Sequence, residues 1–448
     1  MNRSRIINRR ECIKKLGQFS SAVLIGEYVL DSMFGNQGRA ATNSLDQVFI
    51  SKSGTAAENV AKVIEMRYGG IEHFIGVDDV VIINPNGQGL NQAATNCACI
   101  MGLIDLILSR PGGFDGEIMV VENTQGGEGY WTASGAGMVR NGPFNFRDMV
   151  LYYQNSGKSN VTGFRLMRNV VDSANWPVIS GPSAGQGWVR PEWRSPTTGC
   201  LLYLAYPIIR SPYSNRLMDL KYGVYDGGYA NQPSLKFIKM PTLNNHGSYA
   251  LQDYAGVTSA VKSFLGITDL EYGWEGPFRD GHYHMHTYAS VCHGGQPNQR
   301  AYAAGESIGA WMDHCRKPDL CITAAEWVGW ESRYDPGATN AKTVGLCENP
   351  VTLDYVMCKH VLWPTHVEQQ FFNPDYDPAN NMTRKTLEGC LAMGYGTLDE
   401  ANIATFVYDF NTPKVFRFEI DRMIQRFRNG EAPEQDVLDL IEKYNTGT

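Results

Sequence analysis

Nine histidines occur in the 448 residues, and three of them alternate in Asp280-Gly281-His282-Tyr283-His284-Met285-His286. If residues 281–288 are extended, the two-residue period of a strand puts His282, His284 and His286 on one face. Imidazoles so placed are a ligand set for a divalent metal, with Asp280 or His293 to complete the shell. A metal there would activate water or polarise a carbonyl. If the segment is helical or looped, residues two apart do not share a face. The same side chains are then ordinary hydrogen-bonded histidines.

A second constellation centres on His246 and Lys262. Leu235-Lys236-Phe237-Ile238-Lys239-Met240 reads as a buried strand stopped by Pro241, and residues 242–247 as a polar loop. Val257, Val261, Phe264 and Leu265 follow at helical spacing and close on Gly266, which predicts a helix over 255–266. His246 and Lys262 then stand at a strand-to-helix edge, where α/β proteins place their sites. His246 titrates near neutrality and suits acid–base work; Lys262 offers a cation to an anionic ligand.

The elements that must position these groups alternate along the chain. Residues 58–67 carry helical periodicity, and 78–87 hold a continuous apolar run ended by Pro85, Asn86 and Gly87. Residues 95–108 read as an apolar helix and 117–123 as a buried strand. Strands are expected at 161–167 and 200–209, and helices at 301–315, 385–394 and 417–444. The pattern is α/β, a mostly parallel or mixed sheet flanked by helices. The less regular stretch 145–235 reads as an inserted cap or second lobe, and 380–448 as a helical tail. The loop 125–137 is rich in glycine. Gly126, Gly127 and Gly129 would let backbone N–H groups approach an anion, although no dinucleotide fingerprint or phosphate-loop lysine accompanies them. The bland alternative is a surface loop.

Several of these stretches together resemble the domain-of-unknown-function family 362. His246, Lys262 and Gly266 match its strand–loop–helix signature, with Asn244 and Asn245 where the family carries Lys and Thr. Pro85 and Asn86 match a second strand end, with Asn84 in place of Lys. Asp319, Leu320 and Ile322 match a third; Ala324 stands where the family has an acid, and Glu326 lies two residues on, sharing that face in a strand. Pro350, Val351, Leu353 and Asp354 match the closing segment, with Asn349 in place of Asp. The resemblance spans roughly 55–365 and implies one site at the carboxyl ends of the strands. His246, Lys262 and Asp354 are its candidate catalytic groups, and Asn86, Gly126, Gly127, Gly129 and Asn245 its ligand-binding groups. Two lysines exchanged for asparagine imply a less negatively charged ligand. The ferredoxin-type cysteine run of some relatives is absent, so no such iron–sulfur cluster is expected.

Residues 1–40 resemble a twin-arginine export signal. Arg9-Arg10-Glu11-Cys12-Ile13-Lys14-Lys15 is followed by a modest apolar run, and Gly38-Arg39-Ala40 offers a cleavage site. The alternative is a basic amphipathic helix that stays on the protein. Cleavage would remove seven basic and three acidic side chains and take the net charge from −7 to −11. A periplasmic or secreted protein that meets the twin-arginine export machinery is the expectation, with 45–448 as its folded region. An acidic chain argues against nucleic acid as a partner, and no later stretch is apolar enough to span a membrane. Two functions stay open. One is a metal- or cofactor-dependent enzyme; the other is a non-catalytic ligand-binding or assembly protein using the same pocket for a small-molecule or anionic ligand.

Overall fold

Five apolar runs build the centre of the molecule. In this computed structural model, residues 45–446 are described except 90, 125–130, 133–143, 167–175, 247–255, 271–277, 279, 290–295 and 332–336. The expected export signal and the glycines Gly126, Gly127 and Gly129 lie outside the described residues. The runs are strands β2 (Val80–Pro85), β3 (Glu117–Glu122), β4 (Val161–Arg165), β11 (Leu235–Met240) and β14 (Leu320–Gly329). All five are parallel, in the order β14-β11-β2-β3-β4. Beyond β14 the sheet continues with antiparallel β15 (Ala338–Cys347), then β1 (Asp46–Lys52) and β16 (Ile403–Asp409). Two short strands, β12 (Thr242–Asn245) and β13 (Val257–Thr258), raise it to ten.

Alternate residues of these strands serve two cores, which is why they read as uninterrupted apolar runs. Val81, Ile83, Ile118, Val120, Ile238 and Ile322 pack with helices α1 (Ala56–Tyr68), α2 (Cys97–Leu108) and α3 (Phe146–Asn155). Val80, Ile82, Met119, Val121, Phe237 and Cys321 face the opposite side. There they meet α4 (Pro297–His314), α5 (Pro350–Met357) and α6 (Met382–Ala392). The tail ends in α7 (Arg417–Arg428) and α8 (Glu434–Thr446), two helices where one continuous run was expected. No helix among the described residues is long and apolar enough to cross a membrane.

The inserted stretch also differs from its expectation. Its first part supplies α3 and β4 to the main sheet and its flank. The remainder forms β5 (Gly187–Val189), β6 (Glu192–Arg194), β7 (Leu201–Tyr203), β8 (Tyr206–Arg210), β9 (Leu217–Asp219) and β10 (Gly223–Tyr225). These make a four-stranded sheet, β10-β9-β8-β5, and a β6–β7 ribbon. The single strand expected at 200–209 is thus two. Trp188, Ile208, Met218 and Leu220 join the core on the α4 side, so the insert is packed down on the sheet.

Topology fixes where a ligand crevice belongs. From β2 the chain winds outward through α2 to β3 and through α3 to β4. It then returns to the other side of β2 as β11 and continues through α4 to β14. The winding reverses between β2 and β11, and in open α/β sheets ligands bind at the carboxyl ends of the strands beside such a reversal.

Candidate functional site

The carboxyl ends of β2 and β11 meet in a buried polar network. The Asn86 side-chain carbonyl accepts the Thr242 N–H at 3.2 Å. Thr95 Oγ1 accepts the Asn86 N–H at 2.9 Å and donates to the Met240 carbonyl at 2.7 Å. Asn244 Nδ2 donates to the Gln92 carbonyl at 2.7 Å, and Asn245 Nδ2 to the Glu331 carbonyl at 3.2 Å. Asn244 Oδ1 is buried with no hydrogen-bond partner among the described residues. Asn86 and Asn245, both expected at the site, therefore stand at the crevice that the topology predicts.

Directly beneath lies a feature that the sequence reading did not single out. Lys239 is fully buried in β11, in register with Asn84 of β2. Its ammonium donates to Asn84 Oδ1 and, at 2.8 Å, to the Ser263 carbonyl, and lies 4.8 Å from the Phe264 ring centroid. A lysine thus does reach this edge, from the strand beside Asn84. Glu122, also buried, ends β3 and accepts the Thr124 N–H. Gly87 and Gly266 make room for it, since a Cβ on either would lie 2.9 or 2.7 Å from a carboxyl oxygen. Burial pushes Glu122 up to about 8, opposed by backbone N–H donors and by the charges of Lys239 and Arg165. Burial likewise pulls Lys239 down to about 7. The only sequence signal was a lysine inside an apolar strand.

His246 follows β12, mostly buried, with Nδ1 2.9 Å from Thr258 Oγ1 and its N–H on the Gly256 carbonyl at 3.0 Å. The helix expected over 255–266 does not form. Val257 and Thr258 pair with Asn245 and Asn244 as β13, and only Lys262–Gly266 coil, as a 3-10 turn. Asp354, in the second turn of α5, explains the break: its two oxygens accept the Ala260 and Val261 N–H groups, each at 2.8 Å. Those donors are held by a carboxylate from another helix and cannot continue a local coil. Burial raises Asp354 to about 6 against these bonds and one from Ser259. One segment, Thr258–Val261, thus bridges His246 to Asp354. Lys262 turns elsewhere. It lines a cavity of about 10 Å³ with Met285, His286, Ser307 and Thr386.

The histidine triplet does not share a strand face. Met285–Thr287 is a single helical turn, and His284 is its N-cap, with Nδ1 accepting the Thr287 N–H at 3.2 Å. His282 stacks on Tyr203 with ring centroids 4.1 Å apart. Its nitrogens lie 3.1 Å from Asp280 Oδ1 and 3.0 Å from Glu192 Oε1. The rings of His284 and His286 are 6.4 Å apart. Among the described residues no group of three or more His, Cys, Asp or Glu is placed to hold a metal; His293 lies outside them.

The open space at this edge lies one strand further along. A cleft of about 560 Å³ is lined by Ser53, Thr55, Asn96, Glu326, Trp327 and Lys342, among others. These residues follow β1, cap α2, or sit where β14 and β15 slip register. Ala325 pairs with Thr343 but Trp327 with Asn340, so Glu326 alone opposes Ala341 and Lys342. Such a bulge bends the strand and re-aims its side chains. Lys342 has φ +42° and Ser53 φ +70°, an uncommon backbone for side-chain-bearing residues. The Lys342 carbonyl holds both sides together, accepting the Ser53 N–H and Asn59 Nδ2 at 2.9 Å each. Glu326 Oε2 is shielded from solvent and has no hydrogen-bond partner among the described residues. Burial holds its carboxyl above the usual range, with the charge of Lys342 opposing.

A buried polar network, the buried side chains of Lys239 and Glu122, and an open cleft lined by a carboxyl with one oxygen unpartnered among the described residues therefore share one sheet edge. Comparison of the chain with models of known protein families and with curated proteins finds no match.

Proposed function

We propose that this chain is an exported protein, akin to the domain-of-unknown-function family 362, that binds a small polar molecule in the cleft at the carboxyl ends of β1 and β14. The observation that carries this reading is an open cleft of about 560 Å³ lined by Glu326, whose carboxyl has one shielded oxygen without a hydrogen-bond partner among the described residues. An unsatisfied buried polar atom costs about 1–3 kcal/mol, and a ligand donor to the same carboxyl group offsets part of that cost. Backbone strain at Lys342 and Ser53 on the rim agrees, because strained residues cluster at functional sites.

A catalytic reading is favoured by one observation of its own. Lys239 and Glu122 stand one layer below the crevice with proton affinities brought toward neutrality, as acid–base groups require. Both are enclosed, so binding without turnover is the reading we adopt. A thermal-shift screen of the chain against polar metabolites tests it, with Ala98→Trp, on the first turn of α2, as the variant that fills the cleft. A ligand at about a hundredfold its Kd stabilises by roughly 2.7 kcal/mol. The expected result is a stabilising compound whose effect disappears in Ala98→Trp. Stabilisation that persists in the variant places the ligand elsewhere and overturns the proposal.

A further inference from the structure

Glu326 and Lys342 carry opposite charges, line one cleft and act on each other through space. Ion pairs join many other acids and bases of the described residues, such as Lys62 with Glu419 at 3.0 Å and Arg190 with Asp269 at 2.6 Å. Glu326 and Lys342 form none, although the bulge sets them across from each other. The third charge of the cleft, Glu58, is already engaged. Its Oε2 accepts the Thr55 N–H at 2.8 Å and the Thr55 hydroxyl at 2.7 Å, capping α1. Two complementary charges without an ion pair among the described residues remain, lining one open cleft, with the aromatic side chains of Trp327 and Phe410 in the same lining.

A simple cation would satisfy Glu326 but meet repulsion from Lys342. A simple anion would suit Lys342 but face two carboxyl groups. A molecule bearing both charges satisfies each without a net electrostatic penalty. We infer that the ligand of this cleft is an α-amino acid, its ammonium at the Glu326 carboxyl group, its carboxylate at Lys342 and its side chain against Trp327 and Phe410. This rests on the cleft being the ligand site.

Isothermal titration calorimetry of the full chain with individual free amino acids tests it, followed for the tightest binder by its decarboxylated amine and its deaminated acid. The expected result is that one or more amino acids bind, and that losing either charged group weakens binding by about tenfold or more. Glu326→Gln and Lys342→Gly weaken it by a similar factor. Glu326 Oε2 has no hydrogen bond to a described residue whose loss would threaten folding, and glycine accepts the backbone at 342, so both variants report on binding. Absence of binding by every amino acid, or affinity unchanged in both variants, overturns the inference. If a different compound from the metabolite screen binds in an Ala98→Trp-sensitive way, the inference falls and the cleft reading stands. If nothing binds in the cleft, both fall.

Discussion

Lys239 shows how far burial alone can move a side chain toward chemistry. Its ordinary value of 10.5 falls to about 7 because the fold removes its water, an effect that the charge of Glu122 opposes. Between about pH 7 and 10.5 the folded chain then binds fewer protons at this site than the unfolded chain, so this group's contribution favours folding more as pH rises. The stability of the wild type relative to Lys239→Met, measured by urea denaturation, is expected to increase across that window by up to about 1.4 kcal/mol per pH unit. A flat or falling difference would mean that Glu122 keeps the ammonium charged. Nothing in the sequence marks Lys239 beyond its position in an apolar run. Its role depends on register with Asn84, which is a property of the sheet.

Among the elements, the strands were the most legible and the segment after His246 the least. Val257, Val261, Phe264 and Leu265 do point inward, as their spacing implies, but through a short strand and a turn. Pairing with β12 and the grip of Asp354 on two N–H groups outweigh local helical preference, a tertiary effect that no local window contains. The same cause defeats the extended reading of 281–288, where His284 caps a helical turn. Asp354 accordingly acts here as a fold-holding carboxylate. Replacing it with alanine leaves two buried N–H groups without an acceptor, and a loss of about 2–4 kcal/mol is expected in chemical denaturation. A change within about 0.5 kcal/mol, the size usual for an uncommitted surface residue, would contradict that role. The bulge at Glu326 was equally hidden. The sequence reading noted Glu326 as an acid near a strand end, but not that the register slip turns it into a cleft.

For the whole molecule, the alternation of helix and strand patterns was enough to give an α/β sheet covered on both faces, because each parallel strand is apolar on both sides. The position of the site at the carboxyl edge follows from the winding, and the winding needs the strand order, which composition does not contain. The His282–His284–His286 set is dispersed by local structure, the His246–Asp354 link runs through Thr258–Val261, and the cleft beside Glu326 opens at that edge. The most direct test is a crystal structure of the protein with its strongest stabilising compound. Ligand density within hydrogen-bonding distance of the Glu326 carboxyl group, between Trp327 and Lys342, is the predicted result. Density in another cavity, with the Glu326 carboxyl group met only by water, would contradict it.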